Sequence, residues 1–335
     1  MVRVCVIGTG NMGKNHVRVY SELEEAELIA IADPSPEAKK LSERFGCRYY
    51  PGYEEMLEKE EIEAVSIATP TTLHYEVAER CIEHEVHILV EKPLADNIVR
   101  AEKIVKLAED KGVILAVGHI ERHNPAIKKL KEIIDEGVLG EVTSVISKRV
   151  GIFPPQIKDS NVYIDLAVHD IDIFNYLFSA LPERVFSKSD VVLARDKEDQ
   201  AIIFLDYGNI FCISQVNWIT PVKIRNLAIT GNKGYAELDF VNQELKVYES
   251  IISKSYDSFG EFIIKFGSSR VRNIVVEKAE PLKLEILDFL ESIEKGKQPL
   301  VSGEDGVAAL RIALLAQKAG REARLIEVGE SITTH

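Results

Sequence analysis

The chain has 335 residues, 46% of them hydrophobic, and carries a net charge of −13. That length is comfortable for two domains, and the charge argues against a nucleic-acid binder or a protein of anionic membrane surfaces. Any phosphate-bearing ligand must then be held by local groups, because no general positive field surrounds it. The opening "MVRVCVIG" enters a strand at once, so a signal peptide is not expected, and no apolar run approaches the ~20 residues of a membrane span. Cys5, Cys47, Cys81 and Cys212 lie far apart with no CxxC pair, which reads as reduced, mostly buried thiols in a cytoplasmic protein.

In chain order, the first 120 residues alternate strand and helix. "VRVCVIG", "AELIAIAD", "AVSIATP", "VHILVEKP" and "GVILAVGH" are short β-branched apolar runs. Helical patterns separate them at Asn11 to Leu23, Glu37 to Phe45, Thr72 to Glu83 and Asn97 to Asp110. This alternation predicts an α/β fold, a doubly wound parallel sheet buried on both faces, over residues 1–120. Residues 121–335 read as an α+β domain with a large open, mostly antiparallel sheet. A helix at Pro125 to Glu136 and a second at about Ile164 to Leu177 precede a run of strands from "ERVFSKSDVVL" to "ELKVYE". Helices at Pro281 to Lys295 and Gly303 to Ala319 close the chain, and Ser250 to Arg272 has the least clear pattern.

The first chemical motif is "GTGNMG", Gly8 to Gly13, which follows a strand and opens a helix. Gly8 permits the tight turn, Gly10 lets backbone N–H groups approach a pyrophosphate, and Gly13 lets helix and strand pack closely. The helix N-terminus then stabilises the phosphates. Asp33 ends the second strand, where a carboxylate can accept from ribose hydroxyls and would repel the extra phosphate of NADP. Pro34, Ser35 and Pro36 follow without an arginine, so the expected cofactor is NAD. The second motif is Glu91-Lys92-Pro93 at the carboxyl end of a strand, where ligands of open α/β sheets bind. A lysine there can stabilise a developing alkoxide, although a plain surface lysine fits the position equally well.

The third is "IDLAVHDIDIF", Ile164 to Phe174. At roughly 100° per residue, Asp165, His169, Asp172 and Tyr176 share a stripe roughly 60° wide, with apolar residues around most of the rest. Such a seam must face something polar. Three readings stay open on the residues alone: a seam satisfied by neighbouring groups, a metal site built on Asp-x-x-x-His, or a histidine base oriented by a carboxylate. No independent ligand cluster completes a metal site. Asp170 points about 140° away from Asp165, which suits a structural role or a supporting partner behind the reacting groups. Arg122, Lys148 and Arg149 are basic residues of an acidic protein. A diphosphate substrate would explain them, and so would ordinary solvated charge.

"EKP", "ATPTTLH" and the later Asp-x-x-x-His resemble the glucose–fructose oxidoreductase / inositol dehydrogenase (Gfo/Idh/MocA) family, over nearly the whole chain. The resemblance implies an N-terminal dinucleotide domain and a C-terminal domain whose sheet serves homodimer or homotetramer contacts, with a Lys92-Pro93 peptide that is often cis. It implies cofactor contacts from Gly8, Gly10, Asn11, Met12, Gly13, Asp33, Thr69, Pro70, His74, Glu91 and Lys92. It assigns catalysis to Lys92, Asp165 and His169: His169 takes a proton from a sugar hydroxyl, Lys92 hydrogen-bonds the same oxygen, and Asp165 positions His169 or the substrate. Within the family, "GHIERxNPA", "RVGxFPPxIxD" and "VxxDLAVHDIDI" look like the UDP-N-acetylglucosamine 3-dehydrogenases, which implies a nucleotide-sugar substrate. That likeness adds Arg122, Asn124, Arg149 and the Phe153-Pro154-Pro155 turn on the substrate side, with Asp165 and His169. Alternatives are a polyol dehydrogenase of the inositol type, a glycoside hydrolase that uses NAD transiently, and an NAD-binding sensor without catalysis.

Overall fold

The computed structural model describes residues 1–153, 160–194, 196–249, 252–256, 262–266 and 270–330, the two short strands among these as backbone only. It divides into two compact units. The first comprises Met1–His123 with Ala279–Arg311, and the second Asn124–Lys278 with the chain from Ile312 to Glu330.

In the first unit, β1 (Val2–Ile7), α1 (Asn11–Glu22), β2 (Ala26–Ala32), α2 (Pro36–Phe45), β3 (Arg48–Tyr50), α3 (Tyr53–Lys59), β4 (Ala64–Ile67), α4 (His74–Glu83), β5 (His87–Glu91), α5 (Ile98–Lys111) and β6 (Leu115–Gly118) follow in order. The six strands form one parallel sheet in the order β3-β2-β1-β4-β5-β6. This is the strand order of two mononucleotide-binding halves, in which the reversal beside β1 opens a crevice at the carboxyl edge. All four residues of β4 are buried, as a central strand covered on both faces requires. Local signals fix the helix ends: the Ser35 side chain and Pro36 start α2, and the Asn97 side chain caps α5 through the Arg100 N–H.

In the second unit, α6 (Pro125–Asp135) and β7 (Val142–Ile152) lead to a π-helical turn at Tyr163–Ala167 and α7 (Val168–Phe178). Then come β8 (Arg184–Asp190), β9 (Gln200–Asp206), β10 (Phe211–Asn217), β11 (Ile219–Gly231), β12 (Gly234–Asp239), β13 (Glu244–Glu249), β14 (Ile252–Tyr256), β15 (Phe262–Phe266) and β16 (Arg270–Ile274). With β17 (Ile326–Glu327) they build a nine-stranded sheet ordered β16-β13-β12-β11-β7-β10-β9-β8-β17, apart from β14 and β15, which pair with each other. Every pairing in the large sheet is antiparallel except β7 with β10. One face is buried and the other is not: along β9, Ala201, Ile203 and Leu205 are buried while Ile202 is exposed.

The two compact units do not follow a single cut at residue 120. α8 (Pro281–Lys295) belongs to the first unit, where Leu282, Ile286, Phe289 and Leu290 share a core with Val17 and Tyr20 of α1. The apolar face of α1 is larger than the sheet alone covers, and a late helix of the chain closes it. α9 (Gly303–Glu322) begins in the first unit and ends in the second. Among the described residues no helix is long and apolar enough to cross a membrane.

Candidate active site

The dinucleotide loop is shaped by steric limits that only glycine meets. Gly8 has φ +86°, and a Cβ there would lie 2.7 Å from the Ala68 backbone. A Cβ on Gly13 would fall 1.9 Å from the Gly8 carbonyl oxygen. Around Gly10 there is open space, so its missing side chain makes room for something outside the protein. α1 starts at Gly10 with no side-chain cap and no acid in its first turn, which leaves its N-terminal N–H groups to an anion.

Asp33 ties the loop to the end of β2. Its Oδ2 accepts from the Thr9 N–H at 2.6 Å and its Oδ1 from the Ser35 N–H at 2.8 Å. Each oxygen keeps a lone pair, so a ribose hydroxyl can still donate to it. A cavity of about 610 Å³ opens here, walled by Gly8, Gly10, Asp33, Pro34, Tyr53, Thr69, Pro70 and Leu73 among others. An apolar slot beside a carboxylate and a bare helix N-terminus fits a nucleoside diphosphate. Asn11 is exposed at the helix start, and Met12 packs against the core, so a ligand would meet the Met12 backbone.

The segment after β5 is held from two sides. The Lys92-Pro93 peptide is cis. His74, 1% exposed, places Nδ1 at 2.8 Å from the Pro93 carbonyl and Nε2 at 3.0 Å from the Thr69 carbonyl. It therefore bridges the lysine segment to the wall of the cavity, and burial lowers its pKa. Glu91 turns inward, where its Oε1 accepts from His16 Nε2 at 3.0 Å. His74 and Glu91, expected among the cofactor contacts, both brace the segment around Lys92.

In the second unit, Asn161 starts the π-helical turn by accepting from the N–H groups of Tyr163 and Ile164. Asp165 lies in this turn, and its Oδ2 accepts from Trp218 Nε1 at 3.3 Å. The Phe153 ring meets Trp218 edge-on at 5.4 Å. Phe153, Trp218 and Asp165 thus form one wall; Pro154 and Pro155 lie outside the described residues. Asp165, His169 and Tyr176 are half-buried, but Asp172 is fully buried. The π-helical turn breaks the regular rotation per residue, so the even polar stripe does not survive.

The expected substrate-side cations are engaged elsewhere. Arg149, 3% exposed, donates through Nε to Asp170 Oδ1 at 2.9 Å and lies over the Phe240 ring at 4.9 Å. Ser214 donates to the other Asp170 oxygen at 2.6 Å, so this buried pair pins α7 to the inner face of the sheet. Arg122, 4% exposed, donates to the Leu300 carbonyl and to Asp305. Asn124 caps α6 through the Ala126 N–H and donates to the Phe240 carbonyl. Lys148 alternates with Arg149 and belongs to the opposite, open face. Arg122, Asn124 and Arg149, expected on the substrate side, thus each bond internal carboxylates or carbonyls.

Sequence reasoning passed over Trp218 and the cluster of His16, Glu91 and Glu285. Trp218 is the chain's single tryptophan, buried to 2%. His16 follows Gly13 by one helical step of three, on the side of α1 that meets the sheet. Among the described residues, His16, Glu91 and Glu285 are the one group of three whose ligand-type atoms lie within 4.8 Å of one another.

Residues 2–119 match the oxidoreductase family, NAD-binding Rossmann fold, and residues 131–328 match the oxidoreductase family, C-terminal alpha/beta domain. The UDP-N-acetylglucosamine 3-dehydrogenase of Acidithiobacillus ferrooxidans is 30% identical over 317 residues, covering 93% of this chain and 95% of that protein. Its solved structure aligns with a TM-score of 0.83 at 28% identity, over 95% of this chain and 97% of that one. The myo-inositol 2-dehydrogenase of Thermotoga maritima is 26% identical over 99% of this chain and its own full length. The chain belongs to the Gfo/Idh/MocA oxidoreductases, a family of NAD-dependent sugar and polyol dehydrogenases, and its cofactor is NAD.

Proposed function

We propose that the chain oxidises a secondary hydroxyl of a nucleotide sugar to a ketone, with UDP-N-acetylglucosamine and its C3 hydroxyl as the leading substrate. The Gly8–Gly13 loop and Asp33 would hold NAD, which would supply the hydride acceptor. His169 takes the hydroxyl proton as general base, Lys92 stabilises the negative oxygen, and Asp165, held by the Trp218 N–H, positions the base. The observation that supports this most is the placement of Lys92. It follows β5 at the sheet edge that carries the dinucleotide loop, and His74 bridges its neighbour Pro93 to Thr69 in the cavity wall. The sugar is supported by the 30% identical relative.

A free polyol is the second reading. Arg122 and Arg149 are engaged with internal carboxylates, which removes two guanidiniums from the case for a diphosphate, and an inositol dehydrogenase is also similar along the full chain. Incubation with NAD and a panel of UDP-sugars and inositols, following product mass and NADH absorbance, decides between them. A 3-keto UDP-sugar is expected; turnover of myo-inositol alone would overturn the nucleotide-sugar assignment. Lys92→Ala and His169→Ala are each expected to lose about 100-fold or more of turnover while NAD still binds.

A second copy of this chain is the proposed partner. The open face of the nine-stranded sheet carries a row in register, Phe186, Phe204, Ile213 and Ile146, across four adjacent strands. Phe186 and Ile146 are exposed, and the Phe204 ring stacks on Phe211 at 6.1 Å. A continuous apolar row of this kind marks an association surface. The cytoplasm is the proposed compartment, in keeping with four free cysteines.

A further inference from the structure

Below the Lys92 segment lies a chain of buried polar groups that the proposed reaction does not use. Tyr20 OH and Ser66 Oγ are 2.8 Å apart, Ser66 Oγ and His16 Nδ1 3.1 Å, and His16 Nε2 and Glu91 Oε1 3.0 Å. His16 and Ser66 are fully buried, Tyr20 is 1% exposed and Glu91 9%. A carboxylate only accepts, so His16 must donate its Nε2–H to Glu91. Ser66, held by Tyr20, engages the other ring nitrogen and fixes the plane of the imidazole.

Glu91 immediately precedes Lys92, and the two side chains interact by charge. The groups around its carboxylate come from several elements. His16 reaches it from α1, Glu285 stands near from α8, and Lys92 and His74 act on it by charge. From β6, a Cβ on Gly118 would lie 3.1 Å from its Oε2, so the backbone closes that side. Burial pushes the Glu91 carboxyl up, but the His16 hydrogen bond with the charges of His16, Lys92 and His74 outweighs it and holds the group below its ordinary range.

We propose that His16 is a positioning residue for Lys92: it keeps Glu91 a buried, oriented carboxylate, and this fixed negative charge holds the adjacent ammonium in its place. The proposal rests on the assignment of Lys92 to the reaction.

The test compares wild type with His16→Leu, His16→Gln, Glu91→Gln and the Leu/Gln double variant, folding being checked by circular dichroism. His16→Gln keeps a donor and serves as the conservative rescue. Competitive labelling of Lys92 with an amine reagent at pH 8, read by mass spectrometry, needs no substrate. Labelling is expected to rise about threefold in His16→Leu and in Glu91→Gln, as a less firmly held amine becomes more accessible, and no further in the double variant, with His16→Gln between. With the substrate found above, kcat is expected to fall about tenfold in His16→Leu, NAD affinity staying within about twofold. Wild-type labelling of Lys92 in both single variants overturns the proposal. So does a bare Nε2 on His16 in histidine nitrogen NMR of the unaltered protein, which requires no variant to fold. A stoichiometric metal ion that His16→Gln removes overturns it too, since the cluster would then be a ligand set. If wild type oxidises no hydroxyl substrate, the reaction assignment fails, while labelling still decides whether His16 governs Lys92.

Discussion

The two sheets solve the burial problem in opposite ways. The six-stranded parallel sheet is covered on both faces, so its central strands are buried without alternation and only its edges remain for ligands. The Gly8–Gly13 loop and Lys92 stand at such an edge. The nine-stranded sheet buries one face under α7 and leaves the other apolar and open, so it retains a whole surface for association. Chemistry at a sheet edge tolerates little backbone movement, whereas a sheet face tolerates exchange of one outward side chain for another.

The sharpest test of that contrast is Gly13→Ala in the parallel sheet. The added Cβ meets a backbone oxygen at 1.9 Å and cannot be absorbed, so loss of NAD binding and a stability loss above about 4 kcal/mol are expected by cofactor titration and urea unfolding. Next is the inner face of the large sheet. Asp170→Leu strands the Arg149 charge and is expected to cost about 3–5 kcal/mol, with much of it recovered in the Arg149→Met/Asp170→Leu pair. Only small recovery in the pair would show that the charges do more than satisfy each other.

His123 gives a smaller, pH-dependent effect. Burial, aided by the Arg122 charge, lowers its pKa to about 4. The folded state then binds fewer protons than the unfolded state between about pH 6.5 and pH 4, so stability from this group falls as pH falls through that window. The ceiling is on the order of 3 kcal/mol, and His123→Gln should flatten that part of a melting-temperature profile. The smallest stability effect belongs to the open face. Phe204→Lys should move unfolding by about 0.5 kcal/mol or less yet shift the sedimenting species toward monomer. A monomeric wild type would remove the association surface.

The Rossmann half was readable because its signals are local: strand runs, a glycine loop and an acid at the end of β2 all lie within thirty-odd residues. The mixed sheet was readable as a class but not in its order, since β7 pairs with β10 and β11 far along the chain. Partner choice across such separations leaves no periodic trace. The polar groups show the same limit. Asp170 was set apart from the Asp165 and His169 stripe, but its pairing with Arg149 was not legible, because sequence does not show which cation a buried acid captures. Regular helical rotation also placed Asp172 on the half-open stripe with Asp165 and His169, whereas a π-helical turn intervenes and Asp172 is buried.

The return of α8 to the first unit has a consequence for how the protein is made. During synthesis, Met1–His123 emerges with the apolar side of α1 uncovered, and Leu282, Ile286, Phe289 and Leu290 arrive only after the whole intervening unit. A nascent chain halted before residue 279 would therefore show an unfinished dinucleotide half, a natural client for chaperones. Secretion of a shortened N-terminal fragment as a stand-alone NAD binder would need that missing helix grafted back.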